Sequence, residues 1–63
     1  MTTTKLSARN YIIRTDSNTY KVTKKDPNAI SWSVSKKVDD KFVFVSLMIG
    51  FKKIKQTLAN ENI

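Results

Sequence analysis

Few residue types in this 63-residue chain could do chemistry, and their spacing narrows the choice further. Histidine and cysteine are both absent, which excludes the commonest general base, the thiol nucleophile, disulfides and any Cys/His zinc site. Of the five acidic residues, only Asp39 and Asp40 are adjacent. Neighbouring carboxylates on a turn diverge, and two without further ligands hold Mg²⁺ or Ca²⁺ weakly. Turn formation with local pairing to Lys37 or Lys41 accounts for them. Ser31, Ser33 and Ser35 have no base placed to activate a hydroxyl, and one glycine cannot build a phosphate loop. The expectation is a non-enzymatic protein with no cofactor and no metal.

What remains is the chemistry of cations. Twelve Lys and Arg against five Asp and Glu give a formal charge of +7 and a pI near 10.0. The cations are grouped, as Lys24-Lys25, Lys36-Lys37 and Lys52-Lys53 with Lys55 close behind. Such groups suit phosphate, which makes nucleic acid the expected partner and duplex DNA the favoured form. The plainer account of a charge run is a solvated surface, and it applies best to the outer face of a helix.

These groups can act only where the chain's elements put them. Sixty-three residues allow one small domain, whose core yields a net stability of a few kcal/mol at most. Residues 1–9 are polar, carry Lys5 and Arg9, and read as a flexible basic arm, with the domain spanning 10–63. Nothing in the polar start resembles a secretory signal, and the longest apolar stretch, 42–51, is interrupted by Ser46 and Gly50. A cytoplasmic protein without membrane contact is expected.

A first hairpin is predicted over 10–15 and 18–24, turning at Asp16-Ser17-Asn18. Lys25-Asp26-Pro27-Asn28 breaks the pattern. Ile30, Trp32 and Val34 then alternate with three serines, Asp39-Asp40 makes a tight turn, and Phe42-Val43-Phe44-Val45 opens a strand apolar on both faces. Trp32 is the expected central core residue, and Tyr11 and Tyr20 are expected to pack rather than stack on bases. Phe51, Ile54 and Leu58 recur at helical spacing, and the helix starts at Ser46 or Gly50, with Gly50 favoured. The fold class is α+β, an antiparallel meander of three to four strands in two hairpins with one C-terminal helix packed on the sheet.

A meander converts sequence position into space. Arg9, Lys24, Lys25, Lys52, Lys53 and Lys55 fall at one end, opposed by Asp26 alone, whereas Asp16, Lys36, Lys37, Asp39, Asp40 and Lys41 cancel at the other. With the start at Gly50, and not with one at Ser46, Lys52 and Lys53 occupy a first helical turn, where the macrodipole is positive and lysine is unfavourable. A bound phosphate would favour both the amides and the ammonium groups. In the doubly apolar strand, strict alternation sends Phe42, Phe44 and Met48 to one face and Val43, Val45, Leu47 and Ile49 to the other. A two-residue turn would pair Val34 with Val45 and Trp32 with Leu47, and a three-residue turn would swap the rows. One apolar row then shares a face with the serines, as a protein contact surface or a row covered by another element.

The pattern over 32–58, a two-stranded hairpin entering Gly50-Phe51-Lys52-Lys53-Ile54, resembles the three-stranded-sheet-plus-helix DNA-binding domains at the N-termini of phage and transposon integrases. Those domains lay a sheet in the major groove. The resemblance covers under half of the chain, carries no diagnostic residue and transfers no site. Size and lysine content are also similar to small basic archaeal chromatin proteins, which are richer in glycine. The leading expectation is a small basic protein that binds nucleic acid through Arg9, Lys24, Lys25, Lys52, Lys53 and Lys55. The alternative is a small inhibitor or accessory factor, of phage or mobile-element type, that binds an acidic host protein through Phe42, Phe44 and Met48. A homodimer through the same row is a third expectation.

Overall fold

The computed structural model describes residues 1–60. Five strands precede one helix: β1 Thr2–Ser7, β2 Asn10–Arg14, β3 Thr19–Thr23, β4 Ser31–Val38, β5 Lys41–Ile49 and α1 Phe51–Ala59. The strands form one antiparallel sheet in chain order, because connections this short leave no room for a crossover. The fold is α+β with a meander and a C-terminal helix, as expected, but it has five strands where three to four were predicted. The added strand comes from the stretch read as an arm. Thr2-Thr3-Thr4 is β-branched, and the run pairs with β2 from Thr2↔Arg14 to Ser7↔Asn10 although all six residues are exposed.

The turns follow from local chemistry. Between β2 and β3 the organiser is Thr15, whose hydroxyl oxygen accepts from the amides of Ser17 (3.4 Å) and Asn18 (3.1 Å). Between β3 and β4, Asp26 Oδ1 accepts from the Asn28 amide at 2.9 Å. Val38 pairs with Lys41, so Asp39 and Asp40 alone make the β4–β5 turn. Both take positive φ, 50° and 69°, as a two-residue hairpin matching the right-handed strand twist requires. Aspartate tolerates this region better than most residues, though less well than glycine.

One face of the sheet carries the core. Tyr11 and Ile13, Tyr20 and Val22, Trp32 and Val34, and Met48 lie on it in register across β2 to β5. Ile54 and Leu58 of α1 close over it, and the fully buried set is Ile13, Tyr20, Val22, Val34, Ile54 and Leu58. Tyr20 packs, as expected. Trp32 is not central, contrary to expectation: it lies two residues from Val34 toward the end where α1 begins, and is half-buried against the core rim.

Neither expected register of β5 holds along its whole length: the two-residue one applies next to the turn and the swapped one beyond it. Val34 pairs with Ser46 and Trp32 with Met48, yet Ser35 pairs with Phe44, leaving Val45 as an extra residue. This bulge reverses the alternation halfway along the strand. Phe42 and Phe44 therefore share the uncovered face with Leu47 and Ile49, while Met48 faces the core.

Two outcomes test this packing. Ile54→Ala removes a fully buried side chain and should cost about 2–4 kcal/mol, enough to unfold much of the protein at room temperature by circular dichroism. Trp32→Ala, at the rim, should leave the higher melting temperature of the two; the opposite order would contradict the observed core. Asp40→Gly should raise stability by about 0.5–1 kcal/mol in urea denaturation, by relieving positive φ.

Candidate nucleic-acid interface

Strand register gathers the cations. Asn10 pairs with Thr23, Thr23 with Ser33 and Ser31 with Ile49, so the start of β2, the end of β3, the start of β4 and the end of β5 lie together. Arg9 precedes β2, Lys24 and Lys25 follow β3, and α1 with Lys52, Lys53 and Lys55 follows β5. The Lys24 amide donates to the Arg9 carbonyl at 3.0 Å, and Arg9 Nη1 donates to the Lys25 carbonyl at 3.2 Å. Arg9 is thus tied to the β3 end while remaining exposed.

Aromatic side chains that the sequence reading left unconnected form the floor of this end. Tyr11, Trp32 and Phe51 make a trio, with ring centroids 4.7 Å apart for Tyr11–Phe51, 5.1 Å for Trp32–Phe51 and 5.8 Å for Tyr11–Trp32. Lys24 Nζ lies 4.7 Å from the Trp32 centroid and Lys55 Nζ 5.9 Å from that of Phe51. The rings attract both ammonium groups through their quadrupoles and so hold two cations, from different elements, on one surface. The three aromatics lie 19 or more residues apart in sequence, with no shared period. Only correct strand pairing reveals them.

The helix starts at Gly50, the favoured reading. Gly50 has φ 87° and ψ 104°, no side chain caps the helix, and its first turn contains no acidic residue. The Gly50 carbonyl accepts from the Ile54 amide at 3.0 Å, while the earlier amides have no intrahelical acceptor. Lys52 and Lys53 are exposed there. The acid assigned to this end, Asp26, uses a carboxylate oxygen to bind the Asn28 amide. The six cations expected here and one acid sum to +5, and Lys5, paired opposite Tyr11, is a seventh cation by the start of β2.

The far end differs. A wide, shallow cleft of about 440 Å³ is lined by Arg14, Asp16, Lys37, Asp39 and Asp40 with neighbouring loop residues, so its charges are of mixed sign. Among the described residues no group of three or more acidic, His or Cys side chains is placed to hold a metal ion. The predicted protein-contact set splits. Phe42 and Phe44 are exposed on the uncovered face, where Lys21 Nζ lies 5.8 Å from the Phe42 centroid, and Met48 packs against the core. Leu47 and Ile49, which the sequence reading put opposite the phenylalanines, stand beside them instead.

Among the described residues no helix is long and apolar enough to cross a membrane. No protein-family model, curated protein or solved structure matches the chain.

Gly50 determines where the lysines of α1 are presented. A Cβ there would meet only the Lys53 Cβ, at 3.8 Å, so the obstacle to substitution is backbone conformation and not space. Gly50→Ala should destabilise the fold by about 1–3 kcal/mol through the disfavoured φ, measured as a lower urea midpoint with an unchanged m-value.

Proposed function

We propose that the protein binds nucleic acid without catalysing a reaction, that duplex DNA is its favoured partner, and that the basic end is the contact surface. The observation that carries this reading is the company of the lysines. Lys52 and Lys53 crowd the positive end of an uncapped helix, where stability alone would place acids, and Arg9, Lys24, Lys25 and Lys55 are drawn to the same end. An approaching phosphate would meet free amides and ammonium groups together. Five lysines to one arginine at this end, point charges more than planar forks, support backbone contact more than base readout. A cytoplasmic location belongs to this reading.

With about five phosphate contacts, log K should fall against log salt with a slope of roughly −4 to −5. Fluorescence anisotropy with labelled duplex, single strand and RNA at several salt concentrations measures it, and absence of binding to any of them at low salt would refute the proposal. The double change Lys52→Glu and Lys53→Glu should weaken duplex binding at least 10-fold and reduce the slope by about 2.

A second reading has its own observation. The uncovered face carries Phe42, Phe44, Leu47 and Ile49 in one row, with exposures of 42%, 59%, 61% and 63%. That row, beside a basic end, also suits an inhibitor or accessory factor gripping an acidic protein. Phe42→Ala and Phe44→Ala would then abolish a nuclease-resistant, stoichiometric complex while leaving DNA binding intact.

A further inference from the structure

The two edges of the sheet are built differently. β1 is polar and carries Lys5 inside the strand and not at its end, features that discourage another strand from pairing. β5 has none of that composition. It is the longest strand, with nine residues, and contains one charge, Lys41, and no proline. Among the described residues it pairs with β4 on one side and with no strand on the other. Val43 and Val45 are exposed as well as the Phe42, Phe44, Leu47, Ile49 row. Backbone donors and acceptors along this edge therefore lie among apolar side chains on both faces.

We infer that β5 pairs antiparallel with β5 of a second copy, joining two five-stranded sheets into one of ten strands. Charge selects this edge and this direction. Each chain carries +7, so two copies associate most readily through their least charged edge. In an antiparallel pair that sets Phe42 opposite Ile49 and Phe44 opposite Leu47 of the other copy, so that each pair shares a face, Lys41 falls opposite Gly50 and no like charges face each other across the ladder. The basic end of each copy, just beyond Ile49, is carried to opposite ends of the shared ladder; a parallel pair would bring the two together. Closure also favours β5 on β5. Pairing β5 with β1 of another copy would leave a β5 edge free and propagate a fibre, whereas the symmetric pair consumes both apolar edges.

The bulge contributes to the fit. It leaves regular segments over 41–44 and 46–49 and brings Phe42, Phe44, Leu47 and Ile49 to one face, so two copies form a continuous stripe of eight apolar side chains. Edge-to-edge pairing buries the backbone edge and the flanks of these side chains, which puts the interface at or below the roughly 1,000 Å² that a specific interface needs. Dimerisation in the micromolar range is the matching expectation.

Sedimentation equilibrium on the nuclease-treated full chain, from about 1 to 500 µM, spans that range. The mass should rise from 7.2 kDa toward twice that value. Phe44→Lys and Leu47→Lys, both at exposed positions, should each hold the folded chain at the monomer mass. Amide exchange adds a readout that needs no variant: protection in β5 should increase with protein concentration while that in β1 does not. A constant 7.2 kDa mass, open-ended larger species, or a dimer indifferent to both folded lysine variants would overturn the inference. If neither variant folds, concentration-independent exchange in β5 would overturn it alone. Nuclease treatment keeps this outcome separate from nucleic-acid binding.

Discussion

Docking of α1 onto the middle of the sheet is the interaction on which the rest depends. Two of the six fully buried side chains, Ile54 and Leu58, come from this one helix, and the other four lie on three adjacent strands beneath it. A domain this small has no second layer to share the task. Nine helical residues are about 13 Å long, whereas nine strand residues extend about 30 Å. The helix can cover only part of one face. The remainder of that face and all of the other meet water, which is why Val43 is exposed although it lies on the same side as Met48.

This short reach links the core to the placement of charge. The helix must begin at the sheet end where β5 stops, and Gly50 makes the reversal possible with a backbone conformation that other residues adopt at a cost. The first turn is consequently fixed at the same end as Arg9, Lys24 and Lys25. Phe51 then joins Tyr11 and Trp32, so an aromatic cluster sits where sheet, helix and cations meet. The aromatics extend the core toward the rim and offer ring faces to Lys24 and Lys55. Packing and charge placement share the same side chains there.

Much of this was legible in the sequence because local signals agreed with one another. Serine alternation fixed β4, Asp39-Asp40 fixed its turn, and helical spacing fixed α1 and its start after Gly50. The end-to-end division of charge followed from a meander without needing side-chain detail. Three features were hidden for separate physical reasons. β1 has no apolar face, so periodicity is silent, and only the β-branched threonines hint at it. The bulge at Val45 has no glycine to mark it, though a serine opposite the buried Val34 is consistent with a shift of register. Trp32 suggested a centre by size, but position along the strand, set by where α1 lands, decided otherwise.

The bulge matters most for how the surface divides. Had alternation continued, large apolar residues would have been split between the two faces of β5, with Met48 beside the phenylalanines. A single extra residue instead sends Met48 to the core and collects four apolar side chains on the uncovered face, away from the aromatic trio. The basic end and the apolar edge become separate surfaces on one small sheet, related by the length of β5. Charge is concentrated where the helix begins, and apolar area lies along the strand that leads to it. Occupying one would not block the other, so the two surfaces are chemically independent even though both depend on the same helix staying docked.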